Sequence, residues 1–177
     1  MKKIIFSYGI IAGLITTAWW NISENFMPDS VLLSTRTWMG YASMVLAFSL
    51  IFVGIKQYRD NFNGGYITFG KAFKTGLYIA LIASTFYVGV WLVVYYFFFP
   101  DFIQRFSHLQ ELQSRADGKS PAEVQQAVAS LVKMGQLYKN PLFNILFTYG
   151  EILPVGLIMS LIAAGILKKK VLPVVVA

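Results

Sequence analysis

Few side chains in this sequence are placed to do chemistry, and Glu151 occupies the most informative position. It lies in Thr148-Tyr149-Gly150-Glu151-Ile152-Leu153-Pro154, inside the last long apolar run, Asn140 to Leu167. A charged side chain at the centre of a membrane costs about 2.5 to 3.5 kcal/mol on insertion scales, so such a group faces the bundle interior, a polar cavity or a partner. Pro154 has no N–H to donate to the carbonyl of Gly150, which frees an acceptor beside the carboxylate and bends the helix. Glu151, Gly150 and Pro154 are therefore a candidate intramembrane polar site able to take a proton, a cation or an amine. Arg36 is a candidate ion-pair partner for Glu151 if its helix is a neighbour. The competing reading is structural: a protonated Glu151, or one bonded to a Tyr, Asn or Arg, that locks the bundle.

Other candidates are weaker. His108 stands near Asp101 and Glu111, yet no nucleophile or metal partnership accompanies it, so it reads as a surface histidine. The chain has no cysteine and a single histidine, which excludes thiolate chemistry and leaves no ordinary metal-ligand set. No catalytic residue, metal or cofactor is assigned. Gly64-Gly65-Tyr66-Ile67-Thr68-Phe69-Gly70-Lys71 has the glycines and lysine of a phosphate loop without its spacing or preceding strand. The basic residues around it, Lys56, Arg59, Lys71 and Lys74, are candidate contacts for lipid phosphates.

The elements that must position these residues follow from composition. Of 177 residues, 56% are hydrophobic and 13% charged, a balance beyond that of a water-soluble domain of this size. The net charge of +7 flanks apolar runs instead of forming one basic face, so it argues for a membrane surface and against nucleic acid. The runs predict an all-α, polytopic membrane domain over residues 1–170, with spans at about 4–21, 37–55, 75–99 and 141–167. A basic loop occupies 56–74 and a short tail 171–177. Trp19 and Trp20 would mark one interface, and Trp91, Tyr95 and Tyr96 another.

Residues 101–140 are different in kind. Phe102, Phe106, Leu109 and Leu112 recur at spacings of four and three, and Ser120-Pro121-Ala122-Glu123 forms a capping box ahead of a second apolar stripe. An amphipathic helical hairpin is predicted between spans three and four, resting on the bilayer or on the span ends.

Orientation follows from where the charges fall. With both termini in the cytoplasm, the inner side gathers Lys2, Lys3, Lys56, Arg59, Lys71, Lys74 and Lys168 to Lys170 against Asp60. Acidic and basic residues balance on the outer side. The excess of Lys and Arg inside favours this arrangement and puts the hairpin outside. Small residues mark one face of three spans: Gly9 and Gly13; Gly76, Ala80 and Ser84; Gly156, Ser160 and Ala164. Such stripes let helices pack closely, within one chain or between copies in a homo-oligomer.

An ordered set of short motifs adds a resemblance. Gly54 to Asp60, Thr68 to Lys74, Pro100-Asp101-Phe102, Tyr138-Lys139-Asn140-Pro141 and Glu151 to Leu157 with the terminal lysines resemble the Bacteroidota family called domain of unknown function 4199. The resemblance implies a four-span protein of the bacterial inner membrane with an outer helical segment. The family brings no activity to carry over.

The leading functional reading is a non-enzymatic bundle, structural or scaffolding, that binds lipid or a membrane partner protein. The alternative is a small transporter or proton-coupled carrier using Glu151. A membrane enzyme acting on lipid-linked substrates through Asp101 or His108 ranks third. Whether Glu151 faces a cavity shared with an Arg or Asn, or makes a dry bond to Tyr or Asn, separates the first two.

Overall fold

The computed structural model describes residues 1–169. Lys170 and the tail 171–177 lie outside the described residues, as do the side chains of Trp20, Glu24 and Asn25. Among the described residues seven helices follow one another: α1 (Lys2–Phe26), α2 (Leu33–Phe48), α3 (Leu50–Phe62), α4 (Phe69–Phe97), α5 (Phe102–Ala116), α6 (Pro121–Tyr138) and α7 (Pro141–Leu167). Four segments are long and apolar enough to cross a membrane: Lys2–Ser23, Leu33–Phe62, Phe69–Phe97 and Pro141–Leu167.

Local chemistry sets several boundaries. The Asn140 side chain accepts from the Leu142 N–H at 2.9 Å, and Pro141 takes the first helical position of α7, where a missing N–H costs nothing. At α6, the Ser120 N–H donates to Glu123 Oε2 at 2.8 Å while Ser120 Oγ accepts from the Glu123 N–H at 3.4 Å. That exchange satisfies two end donors at once. Between α3 and α4 the chain turns through Gly64 and Gly65, both with positive φ, a conformation glycine adopts without strain.

The helices overrun the apolar stretches. α3 continues to Phe62 and α4 begins at Phe69, so Lys56, Arg59, Lys71 and Lys74 sit on helical turns and the connection is confined to 63–68, in place of a loop over 56–74. α1 likewise extends to Phe26. Hydropathy marks where hydrocarbon ends, whereas a helix continues until its hydrogen bonds find another outlet, and long basic side chains can extend from it into headgroups.

α4 lies at the centre, packed along α1 on one side and α7 on the other, with α3 against α4 and α7. The small residues mark these contacts. A Cβ on Gly9 would come within 2.6 Å of Ile82 Cγ2, one on Gly76 within 2.9 Å of Ile51 Cγ2, and one on Gly156 within 2.7 Å of the Ala80 Cβ. Close approach of this kind supplies the dispersion that lipid, equally apolar, cannot supply as a solvent effect. Phe48, Ile51, Ile55, Ile79 and Ile152 fill the centre.

One span is broken. At Ser49 the hydroxyl donates back to the Leu46 carbonyl at 2.6 Å, and the following Phe52 N–H bonds to the Ser49 carbonyl, three residues back, at 3.0 Å. Side-chain back-bonding and a tightened turn interrupt the ladder and bend helices. Beyond the break, α2 packs on α1, α7 and α5, whereas α3 keeps the contact with α4. The end of the bundle carrying the hairpin is thereby left less filled than the end carrying the Gly64 turn.

The hairpin closes over that end. α5 and α6 pack together, with Gly135 pressed close to Ile103. Gln113 Oε1 accepts from the Ser34 N–H at 3.0 Å, capping the start of α2 from α5. At the opposite end Ile67 and Lys169 exchange backbone hydrogen bonds of 3.0 and 2.8 Å.

Candidate functional site

The underfilled end holds two adjoining cavities. The first, about 230 Å³, is walled by Thr16, Trp19 and Ser23 of α1 and by α2 from Leu33 to Met44, including Arg36. Tyr87 of α4, Phe102, Phe106 and Leu109 of α5, and Glu151 complete its lining. The second, about 220 Å³, runs under the hairpin between Tyr87 and Trp91 of α4, Phe102 and Phe106 of α5, Met134 and Tyr138 of α6, and Phe147, Thr148 and Glu151 of α7. Tyr87, Phe102, Phe106 and Glu151 belong to both, so the carboxylate stands where the two meet.

Each wall has a local cause. Residues 102, 106 and 109 share one face of α5 by helical spacing, and this apolar stripe roofs the bundle. Tyr87, Trp91 and Tyr95 recur every fourth residue on α4, and rings from α4, α5, α6 and α7 stack edge to face around them: Trp91 on Phe102 at 5.0 Å and Tyr138 on Phe147 at 5.3 Å between centroids. Such pairs add about 0.5 to 1.5 kcal/mol each beyond area burial. Deeper in, Trp91 Nε1 donates to Asn144 Oδ1 at 2.9 Å.

Glu151 makes no hydrogen bond and no ion pair with any described residue, and its exposed side chain lines both cavities. The suggested pairing with Arg36 does not form. Arg36 is 7% exposed and donates instead to the carbonyls of Ser23, Met27, Pro28 and Val31, at 3.0, 3.1, 2.8 and 3.1 Å. The end of α1 and the turn after it leave carbonyls without helical donors, and the guanidinium of α2 gathers them. Arg36 and Glu151 nevertheless line one cavity.

Gly150 and Pro154 separate from Glu151. Neither lines these two cavities, Pro154 is exposed, and nothing lies within 4 Å of a Cβ built on Gly150.

Three hydroxyls in the first cavity are arranged as acceptors. Thr16 donates to the Gly13 carbonyl at 2.9 Å, Thr37 to Leu33 at 2.9 Å and Ser43 to Gly40 at 2.7 Å. Each proton is thus committed to the helix backbone, and the oxygen lone pairs remain. Tyr138 is a neutral phenol: burial, and then the negative charge of Glu151, push its ionisation upward. An acceptor-rich, aromatic chamber around one carboxylate suits a cation.

The other candidates fall elsewhere. Arg59 pairs with Asp60 at 2.6 Å and donates to the Leu167 carbonyl at 3.2 Å. Lys71 bonds Asn63 and lies 5.4 Å from the Tyr58 ring centroid. Lys56 and Lys74 are exposed. His108 is exposed on α5, beside Glu111 and Lys139 in a groove of the hairpin, and no metal-binding group of three occurs among the described residues. Arg105, bonded to Asp101 at 2.7 Å, holds that carboxyl below its usual range, which disfavours it as a proton donor.

Sequence reasoning passed over Tyr87, Tyr41 and Tyr138 as wall residues. The four-residue spacing of Tyr87, Trp91 and Tyr95 is visible in the sequence and could have placed Tyr87. The convergence of five helices on Glu151 has no such signal.

Among known proteins, no curated protein and no solved structure matches the chain. One family model matches, described as "Protein of unknown function (DUF4199)", over residues 7–169.

Proposed function

Because the chain belongs to the DUF4199 family, whose description assigns no activity, we infer its function from the cavity: a membrane-embedded bundle that binds an amine-bearing ligand against Glu151. The observation that carries this reading is the Glu151 carboxylate, which has no hydrogen-bond or ion-pair partner among the described residues and lies where two cavities meet. A lone carboxylate at membrane depth is costly, and a bound ammonium would offset that cost. The aromatic walls add cation–π attraction of about 0.5 to 2 kcal/mol per well-placed ring. This is a lipid- or ligand-binding bundle, with the amine site contributed by the carrier reading.

The test is a titration of the purified full chain in nanodiscs, read by tryptophan fluorescence, with phenethylamine and its neutral counterpart 2-phenylethanol. Saturable binding of the amine alone, weakened tenfold or more by Glu151→Gln, supports the reading. Equal response to both compounds, or no effect of the substitution, removes it.

Topology belongs to the same proposal. Lys56, Lys74, Lys168 and Lys169 are exposed at the Gly64 end, which supports a cytoplasmic placement of that end and of both termini in a bacterial inner membrane, with the hairpin outside. Lys56 and Lys74 are free to meet anionic headgroups, whereas Arg59 and Lys71 are engaged within the protein.

A proton-coupled carrier remains the second reading. The interruption of a span at Ser49 and the proline in α7 favour it, since broken helices border many transport sites. Amine or proton flux into liposomes that is unchanged by Glu151→Gln would eliminate it.

A further inference from the structure

We propose that the ligand is a zwitterion, with its ammonium at Glu151 and its phosphate or carboxylate at Arg36; this rests on the amine reading and deepens it. A guanidinium has five N–H donors in a fixed fork. On Arg36, Nε serves Val31, both Nη2 hydrogens serve Met27 and Pro28, and one Nη1 hydrogen serves Ser23. The other Nη1 donor has no acceptor among the described residues. All four acceptors are neutral carbonyls, so the positive charge itself is not balanced by them. Among the described residues its ion-pair partner is Asp29, 3.9 Å from Nη2 and 73% exposed, on the other arm of the fork from the leftover donor.

The cavity thus carries, on a single wall system, a guanidinium whose one ion pair is long and solvent-facing and a carboxyl group with no partner among the described residues. They are not within ion-pair distance of each other. Aromatic and apolar side chains, among them Met44, Tyr87 and Phe106, line the space they share. A simple amine would answer only Glu151, and a simple anion only Arg36. A molecule with both groups answers both, and charge-assisted bonds of this kind are roughly twice as strong as neutral ones.

The space beside the two groups, about 230 Å³ and partly open, has room for a small polar headgroup. Two sources share this chemistry: a soluble zwitterion, and the phosphoethanolamine headgroup of a membrane lipid.

The experiment uses the full chain in nanodiscs of phosphatidylcholine, with ligand-induced thermal stabilisation as the readout. Probes are ethanolamine, glycerophosphate and glycerophosphoethanolamine. Tenfold or tighter binding of glycerophosphoethanolamine over either half-molecule is expected, and Arg36→Lys should shrink that advantage while sparing the affinity for ethanolamine. If phosphatidylethanolamine in the disc competes, the source is the lipid headgroup; if it does not, the source is a soluble zwitterion, and both results uphold the proposal. Ethanolamine binding as tightly as glycerophosphoethanolamine overturns the zwitterion and leaves the amine site standing. Binding of none of the three overturns both readings. Should Arg36→Lys fail to fold, the comparison of probes on the unaltered protein decides alone.

Discussion

Trp91 and Asn144 are joined inside the bundle, the indole N–H of α4 donating to the side-chain carbonyl of α7 at 2.9 Å. Asn144 is fully buried and its carbonyl is also reached by the Thr148 hydroxyl at 3.3 Å. Trp91→Phe keeps an aromatic ring against Phe102 but removes this donor. Interhelical hydrogen bonds in membranes contribute about 0.6 kcal/mol on average and up to about 1.7. A fall in melting temperature of about 1 to 7 °C is expected for a chain of this size, measured by thermal denaturation in detergent.

Glycines in one helix should respond oppositely to alanine. At Gly156 a methyl would meet the Ala80 Cβ at 2.7 Å and the Phe48 ring at 3.0 Å, while at Gly165 nothing lies within 4 Å. Gly156→Ala must push α7 off α4, and overpacking of this kind costs about 1 to 3 kcal/mol. Gly165→Ala meets no neighbour and reduces the freedom of the unfolded chain, a gain of up to about 1 kcal/mol. Melting temperatures of the two variants should move to opposite sides of the parent.

These contrasts show what the sequence could reveal. The start of α7 is written in Asn140 and Pro141 because capping acts within one turn, and the same holds for Ser120 and Glu123 at α6. The small-residue stripes were legible as packing faces, but which face meets which is decided by neighbour order. The cavity was not legible at all. It depends on α2 diverging from α4 on the hairpin side of Ser49, a single serine in an apolar run, and on the α5 stripe turning onto the span ends instead of the bilayer. The partners of Arg36 were hidden for a related reason: the four carbonyls at the end of α1 and in the α1–α2 turn that hold its guanidinium converge only once the chain has folded.

The hairpin should loosen in acid. Hydrogen bonds from the Ser120 hydroxyl and backbone hold the Glu123 carboxyl below its ordinary value of 4.5. A carboxylate with a depressed folded value stabilises above its unfolded value and loses that contribution as pH falls through the folded one. Amide hydrogen exchange at the first turn of α6 should therefore accelerate, relative to intrinsic rates, below about pH 4.5, and Glu123→Gln should flatten that dependence. An unchanged profile in the variant would assign the loosening to another group.

Two basic positions near the Gly64 turn should behave differently. Lys56 is exposed, so Lys56→Gln should weaken preference for anionic over neutral lipid, by about 1 kcal/mol near the surface. Arg59 instead caps the last turn of α7 through the Leu167 carbonyl. Arg59→Gln should increase hydrogen exchange at the end of α7, with less effect on lipid preference. Reversal of the two phenotypes would mean that Arg59 is the headgroup contact.

Glu151 gives the sharpest separation between locking a bundle and binding a ligand. A structural carboxylate would hold its neighbours through hydrogen bonds, and removing its charge would lower the stability of the empty protein. Glu151 has no such bond among the described residues. Glu151→Gln should therefore leave the ligand-free melting temperature unchanged or slightly higher. In the parent, an amine at 100 times its dissociation constant should add about 2.7 kcal/mol of stability by mass action, and this increment should vanish in the variant. The two measurements together isolate binding, because a loss of ligand-free stability would return Glu151 to a structural role even if the amine response also disappeared.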